Sequence, residues 1–300
     1  MDGIINVYKE KGYTSHDVVA KMRGILKMKK IGHTGTLDPD AEGVLPVCLG
    51  KGTRLCDLLT DKSKTYKAVL LLGQVTDTQD ISGKVLSESR PVADERQIED
   101  VVLGFLGRYE QIPPMYSALK VNGKKLYELA RAGKEIERRP RPVEILAIEV
   151  NKIDLPRVTM TVSCSKGTYI RTLCHDIGQK LGCGGCMESL LRTRVDRFHL
   201  EDSLTLSQIE SLRDRGTIKD YIMPVEDVFR EYPLLLIRDS ADKLVHNGNP
   251  FLPEHAEGDG SLQSGWVRVY DSRKQFIGIY EYDREKKRYQ PRKIFLGMDA

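Results

Sequence analysis

The chain has 300 residues, of which 40% are hydrophobic and 30% are charged, a composition typical of a folded protein with one large domain and a small one. Its formal net charge of +4 permits a polyanionic partner without requiring one. The N-terminal residues lack the basic and long apolar stretches of a signal peptide, and no run approaches the roughly 18 apolar residues of a membrane span. We therefore expect a cytoplasmic protein with no membrane partner.

The first predicted elements are a short strand and an amphipathic helix. Residues 4–8 have strand character, and a helix is expected to begin at Ser15, with apolar residues at helical spacing as far as Leu26. In residues 31–49, three glycines and two prolines predict a tightly turned loop rather than a helix or a central strand. Such a loop is either a structural turn or a functional site.

The loop at 31–49 carries one imidazole and three carboxylates, on His33, Asp38, Asp40 and Glu42. Spacing argues against a calcium loop, because the twelfth position counted from Asp38 is Leu49, where an EF-hand needs Glu. An aspartyl-phosphate enzyme is also disfavoured, since no buried apolar strand precedes Asp38. The remaining interpretation is a loop that presents a carboxylate to a ligand.

The chain then alternates between short elements and turns. We expect a short helix at 53–59, a strand at 66–72 that is buried on both faces, a turn that ends at Gly83, and an amphipathic helix at 97–106. These predictions place a sheet strand shortly after the carboxylate-rich loop.

Residues 107–142 differ from the rest of the chain in charge. They contain nine Lys or Arg residues, four Glu residues and three tyrosines. Cations interleaved with aromatic rings suit a surface that binds phosphates and stacks bases. A solvated helical hairpin is the alternative interpretation.

A helix that carries an arginine in its first turn is predicted in the second half of the chain. Arg171 lies where the helix dipole disfavours a cation, so we expect a carboxylate partner to hold it there. The predicted elements around it are strands at 143–150 and 158–164 and helices at 169–181 and 206–213, and residues 190–194 lead into a further strand near Phe198.

The last part of the chain has the pattern of a small β domain. Residues 224–233 look like a linker, and the short strands expected after it lie at 234–237, 266–270 and 276–282. Residues 284–293 hold six basic residues and one Glu, which favours either an RNA-binding surface or a solvated edge strand.

Six cysteines do not predict a disulfide framework in a chain of this size. Cys183 and Cys186 form a single C-x-x-C pair with Cys174 upstream. One such pair is weak evidence for zinc, so we expect reduced thiols and no metal, with structural zinc or redox use as the alternative.

Five motifs, taken in order, resemble those of the TruB family of tRNA pseudouridine synthases. The resemblance covers most of the first 230 residues. Glu10 departs from the family, which usually has Pro there. The motifs lie at 9–15, at 32–46 (Gly-His-Thr-Gly-Thr-Leu-Asp-Pro followed by Gly-Val-Leu-Pro), at 64–66 (Lys-Thr-Tyr), at 73–83 and at 167–173 (Gly-Thr-Tyr-Ile-Arg-Thr-Leu).

The resemblance implies an α+β pseudouridine synthase fold with a mixed, largely antiparallel central sheet flanked by helices. It further implies a catalytic domain at residues 1–230, with an RNA-binding thumb insertion at about 107–142. A small PUA-like RNA-binding β domain is expected at residues 231–300.

The implied reaction is the isomerisation of uridine 55 in the TΨC loop of tRNA to pseudouridine. The base leaves its N1–C1′ bond, rotates and rejoins through C5, which needs no cofactor or metal. The sequence agrees, because it has neither a G-x-x-x-x-G-K phosphate loop nor a G-x-G-x-x-G dinucleotide turn.

The resemblance also implies roles for individual residues. Asp38 would be the catalytic nucleophile or base, with Arg171 as its charge partner. Tyr66 would stack on the target base after it is flipped out, and its hydroxyl would be placed to assist proton removal. The other substrate-binding residues implied are His33, Tyr169, Leu190 and Lys9.

The expected partner is the T arm of tRNA, bound by a monomer that needs no guide RNA. Two alternatives stay open from the sequence. One is a pseudouridine synthase that depends on a guide RNA, and the other is a non-catalytic RNA-binding or tRNA-folding protein.

Overall fold

The computed structural model describes residues 1–121, 123–257 and 265–296, and these form a nine-stranded main sheet with helices around it, a four-stranded sheet and two small two-stranded sheets. The helices are α1 Ser15–Leu26, α2 Cys56–Thr60, α3 Glu95–Leu103, α4 Leu126–Arg131, α5 Ile170–Lys180, α6 Leu206–Asp214 and α7 Asp242–His246. Short 3₁₀ helices lie at Gly50–Leu55, Leu200–Asp202, Ile218–Tyr221, Val225–Phe229, Asp239–Ala241 and Pro253–His255.

The strands of the main sheet follow the order β1-β3-β12-β4-β11-β10-β7, with β2 paired to β3 and β13 to β12. Its pairs are antiparallel except for a short parallel contact between β3 and β12. The strands of this part of the chain are β1 Gly3–Lys9, β2 Ile31–His33, β3 Glu42–Leu49, β4 Lys64–Leu72, β5 Gln74–Thr76, β6 Val85–Glu88, β7 Gly107–Gln111, β8 Lys120–Val121, β9 Lys124–Lys125, β10 Arg141–Asp154, β11 Arg157–Cys164, β12 Gly185–Val195 and β13 Phe198–His199. Of these, β5 pairs with β6 and β8 pairs with β9 in two small sheets outside the main one.

Two apolar cores attach the helices to this sheet. Helices α3 and α5 pack against β4, β10 and β11, whereas α1 and α6 pack against β1 and β3. Helix α1 begins where the sequence predicts, because Thr14 and Asp17 form a capping box that satisfies its first backbone donors. The predicted α+β fold with a mixed, largely antiparallel central sheet is confirmed.

The prediction that residues 31–49 form a loop throughout is wrong. Only residues 34–41 are irregular, and β3 is a buried strand despite Pro46. The Pro46 carbonyl accepts a hydrogen bond from the Thr34 amide at 3.2 Å. The Pro46 ring nitrogen faces the same edge of β3 as this carbonyl, and the pairing of β2 with β3 along that edge ends at His33. The missing N–H therefore costs the sheet no hydrogen bond.

Two other predictions need correction. Strand β4 is buried mainly on the face of Tyr66, Ala68, Leu70 and Leu72, whereas Lys67 on the opposite face is exposed. The basic segment is not a helical hairpin. It contains a strand of the main sheet (β7), the two-stranded β8–β9 pair and the single helix α4.

The C-terminal part is a second sheet of order β14-β15-β16-β17, with its own apolar core. The predicted linker is instead packed, because Phe229 belongs to an apolar cluster that joins both sheets. The division of the chain into domains at residue 231 stays a prediction. The strands of the second sheet are β14 Leu234–Leu236, β15 Trp266–Tyr270, β16 Phe276–Asp283 and β17 Arg288–Ile294.

We predict that Phe229→Ala destabilises the protein by about 3–5 kcal/mol, because it leaves a cavity in this cluster. The Phe229 ring lies 6.3 Å from the Phe276 ring and 5.8 Å from the Phe295 ring, centroid to centroid. Equilibrium urea unfolding measures the change. Leu86→Ala, at a position that is 62% exposed, is the control and should change stability little. Equal effects of the two substitutions would contradict the conclusion that Phe229 packs in a cluster that joins both sheets.

Candidate active site

The irregular loop at residues 34–41 connects β2 to β3 and is fixed by the segment that precedes α1. The Leu37 amide donates to Ser15 Oγ at 2.9 Å, and the Gly12 amide donates to the Pro39 carbonyl at 2.9 Å. These bonds hold the loop on both sides of Asp38. The backbone of that residue is therefore set by contacts that do not use its carboxylate.

Lys9 supplies a third support for the loop. Its side chain is fully buried, and Nζ donates to the carbonyls of Pro39 at 2.9 Å, Glu10 at 3.2 Å and Ala41. Burial lowers the pKa of Lys9 to about 8. The ammonium is thus occupied by backbone oxygens, and the expected contact of Lys9 with substrate stays a prediction.

Asp38 and Arg171 form a two-point ion pair. Arg171 Nε lies 2.9 Å from Asp38 Oδ2, and Nη2 donates to Oδ1 at 3.2 Å. The arginine side chain is 5% exposed, whereas that of the aspartate is 38% exposed. The prediction that Arg171 has a carboxylate partner is confirmed, and one side of that carboxylate stays open to a ligand.

Three further acceptors surround the Arg171 guanidinium. Its Nη1 donates to the Thr78 carbonyl at 3.0 Å and its Nη2 to the Tyr116 carbonyl at 2.8 Å, while Asp80 Oδ2 lies 3.7 Å from Nε. The sequence analysis missed Asp80. In the sequence, Asp80 is marked only by its position in the polar turn that ends at Gly83. Asp, Thr, Ser and Gly residues are common in turns, so this position did not distinguish it.

The other two carboxylates of the loop are less suited to chemistry. Asp40 is exposed, and no ion pair of Asp40 occurs in the parts of the chain that the structure describes. Glu42 begins β3 and accepts a hydrogen bond from the Tyr8 hydroxyl at 3.1 Å. Of the three, Asp38 alone faces a buried guanidinium.

Tyr66 and Leu190 lie on adjacent strands, β4 and β12, and both are buried. Tyr66 is the register partner of Arg192, a fully buried arginine that the sequence analysis did not single out. Burial raises the pKa of Tyr66, and the Arg192 guanidinium opposes that rise. Gly43 makes room for this arrangement, since a side chain there would collide with the Arg192 backbone.

Tyr169 precedes α5 and is held by Gln111. The Tyr169 amide donates to Gln111 Oε1 at 2.8 Å, and Gln111 Nε2 donates to the Tyr169 carbonyl at 3.0 Å. The Tyr169 ring is near Ser117, Arg171 and Asp38, and burial raises its pKa. The structure thus brings Tyr169 to the same site as the ion pair.

His33 ends β2 and is half-buried. The Gly35 amide donates to His33 Nδ1 at 3.3 Å, and the His16 ring contacts the His33 ring edge-on with centroids 5.1 Å apart. Burial lowers the pKa of His33 to about 4, so this imidazole is neutral at pH 7. Because Nδ1 accepts, Nε2 carries the proton and is the donor that His33 can offer.

The cysteines of the C-x-x-C segment are dispersed among apolar neighbours. Cys174, Cys183 and Cys186 are buried, and Cys186 Sγ lies 3.8 Å from Gln74 Oε1. In residues 1–121, 123–257 and 265–296, no three His, Cys, Asp or Glu side chains are grouped as a metal site requires. Among the described helices, none is long and apolar enough to cross a membrane.

A sequence model described as the TruB family pseudouridylate synthase N-terminal domain matches residues 23–170, and one for the tRNA pseudouridylate synthase B C-terminal domain matches residues 171–230. The chain is 54% identical to tRNA pseudouridine synthase B of Lachnoclostridium phytofermentans, over 99% of this chain and 100% of that protein. The chain belongs to the TruB family. It is accordingly an isomerase of the pseudouridine synthase class.

Other TruB relatives extend the same result. The chain is 44% identical to tRNA pseudouridine synthase B of Geobacter sulfurreducens, over 86% of this chain and 85% of that protein. Among solved structures it is similar to a Cbf5-Nop10-Gar1 complex, with 29% identity, a TM-score of 0.73 and coverage of 99% of this chain and 86% of that one. An H/ACA RNP bound to a substrate RNA containing 2′-deoxyuridine matches with 27% identity, a TM-score of 0.72 and the same coverage.

We predict that Lys9→Met in this TruB-family chain lowers the turnover of pseudouridine formation by about 10²-fold, because displacement of a catalytic group by about 1 Å costs that much. RNA affinity should stay near the wild-type value, since the ammonium faces backbone carbonyls. Single-turnover rates and filter binding measure the two quantities. Lys11→Met, at an exposed neighbour, is the control. A large loss of affinity with unchanged turnover would instead make Lys9 a substrate-binding residue.

Proposed function

We propose that this chain converts uridine 55 in the TΨC loop of tRNA to pseudouridine, with Asp38 as the reacting carboxylate. The observation that carries the proposal is the two-point ion pair of Asp38 with the buried Arg171. The tRNA pseudouridine synthase B name of the relatives supports tRNA as the substrate.

The open side of Asp38 suits an attack or proton abstraction on the ribose or base. The guanidinium holds both oxygens of the carboxylate, which acts as a nucleophile in one route and as a base in the other. The N1–C1′ bond breaks, the base rotates, and C5 bonds to C1′. The fixed loop and the ion pair keep the carboxylate in place while the base moves.

The target uridine has to leave a folded RNA loop, which costs on the order of a few kcal/mol. Stacking on Tyr66 would return about 1–3 kcal/mol. Leu190 and Tyr169 would line the pocket beside it, and the neutral His33 would fill the space left in the RNA. A neutral imidazole suits that role, because it enters a base stack without carrying a charge.

Basic surfaces of the chain itself would bind the T arm. The thumb, residues 107–142, carries Lys125 and Arg131 about 5.3–5.4 Å from the Tyr127 ring, and β17 adds further cations in the second sheet. Cations next to an aromatic face suit phosphates and stacked bases. We therefore propose a monomer that acts without a guide RNA.

We predict that Asp38→Asn lowers pseudouridine formation by at least about 10³-fold while leaving tRNA affinity unchanged, because the amide cannot act as a nucleophile or base. The measurement is primer extension after carbodiimide treatment of an unmodified tRNA transcript, in which pseudouridine stops the polymerase.

The matched control is Asp40→Asn, which removes an exposed carboxylate two residues away. Wild type and the control should both give a stop at uridine 55, in the absence of any guide RNA. A full stop with Asp38→Asn would refute the assignment. Tight binding with no stop from any variant would favour the non-catalytic RNA-binding protein.

A further inference from the structure

Arg192 is a fully buried cation that forms no ion pair with any residue the structure describes. Its side chain is 1% exposed, Nε donates to the Val44 carbonyl at 2.7 Å, and Nη2 lies 3.4 Å from the Gly35 carbonyl. In the described part of the chain no carboxylate forms an ion pair with it, in contrast to Arg171. A buried charge is costly unless it is paired, so this guanidinium needs a physical reason.

The side chain next to Arg192 on the sheet is Tyr66. The two residues are register partners on β12 and β4, which places their side chains on one face at close range. The guanidinium interacts with the Tyr66 hydroxyl, and it opposes the rise in the pKa of Tyr66 that burial causes. The positive charge therefore lies where a phenolate would carry its negative charge.

We propose that Arg192 is a positioning residue for proton transfer, which holds the Tyr66 oxygen and balances its charge while that oxygen takes the C5 proton of the rejoined base. The proposal rests on the proposed function and deepens it. It explains the missing carboxylate, because a permanent anion beside Arg192 would cancel the charge before the phenolate forms.

The step balances without a cofactor. Tyr66 first releases its hydroxyl proton to solvent water. After C5 has bonded to C1′, the C5–H bond breaks, its electron pair restores the C5–C6 double bond, and the proton passes to the Tyr66 oxygen. N1, freed from the ribose, takes up a proton from water, so the product is an isomer of the substrate.

Arg192 also has a structural role from which this proposal must be separated. Its bonds to the carbonyls of Gly35, in the loop that contains Asp38, and Val44, in β3, fix that loop against the sheet. Loss of loop support would slow every step that uses Asp38, whereas loss of charge beside Tyr66 would slow only the removal of the C5 proton.

The experiment compares two tRNA transcripts, one with uridine and one with 5-fluorouridine at the target position. Fluorine cannot leave C5 as a proton, so the fluorinated base can detach and rejoin but cannot complete the last step. Liquid chromatography of the digested RNA measures rearranged nucleoside from each transcript. A third transcript with deuterium at C5 gives the isotope effect on the uridine reaction.

We expect Arg192→Gln to slow the uridine reaction by about 10²-fold, the lower scale of general acid–base contributions. The same variant should slow the rearrangement of 5-fluorouridine much less than that of uridine and should show a larger deuterium isotope effect than wild type. Arg192→Lys keeps the positive charge but loses the several N–H donors of the guanidinium. Its rate on uridine should therefore lie between those of wild type and Arg192→Gln. Arg192→Lys decides the question alone if Arg192→Gln does not fold.

Equal losses on the two RNAs in either Arg192 variant, or no loss on uridine, would overturn the proposal. Tyr66→Phe tests the role of the hydroxyl independently, because this variant should lose the uridine reaction and keep the 5-fluorouridine reaction. Loss of both or retention of both by Tyr66→Phe would also overturn it. If wild type and Asp38→Asn alike left both RNAs unchanged, the proposed function itself would fail.

Discussion

The ion pair of Asp38 and Arg171 connects positions 133 residues apart and is the contact around which the catalytic part is arranged. One member comes from the loop between β2 and β3, and the other from the first turn of α5. The two can meet only because the sheet order places β3 and β12 side by side and packs α5 against β12 and β4. The sheet thus holds two opposite charges at hydrogen-bonding distance.

Three buried cations support the site in the same way, by donating to backbone carbonyls. Lys9, Arg171 and Arg192 belong to different elements, and each adds hydrogen bonds that fix the segments around Asp38. A carbonyl acceptor is present whatever the residue type, so these bonds tolerate sequence change in the acceptor. The carbonyl oxygens that receive them belong to Glu10, Gly35, Pro39, Ala41, Val44, Thr78 and Tyr116.

Only part of this site could be predicted from the sequence. Apolar spacing predicted α1, and the dipole argument predicted a carboxylate for Arg171. Residue types could not predict contacts to carbonyls, so the supports from Lys9 and Arg192 were missed. The sequence did not predict that Pro46 lies within a strand, because the lack of an N–H there matters only in relation to the neighbouring strand. It did not predict that residues 224–233 are packed, because the aromatic contacts of Phe229 depend on tertiary structure.

The Tyr116 carbonyl belongs to the basic segment at 107–142, yet it accepts from the same guanidinium that pairs with Asp38. The position of this segment and the geometry of the carboxylate are therefore coupled through Arg171. If the segment binds RNA, as we propose, an RNA that displaced it would remove one acceptor from Arg171 and weaken the hold of Arg171 on Asp38. A poorly docked RNA would then react more slowly as well as bind more weakly.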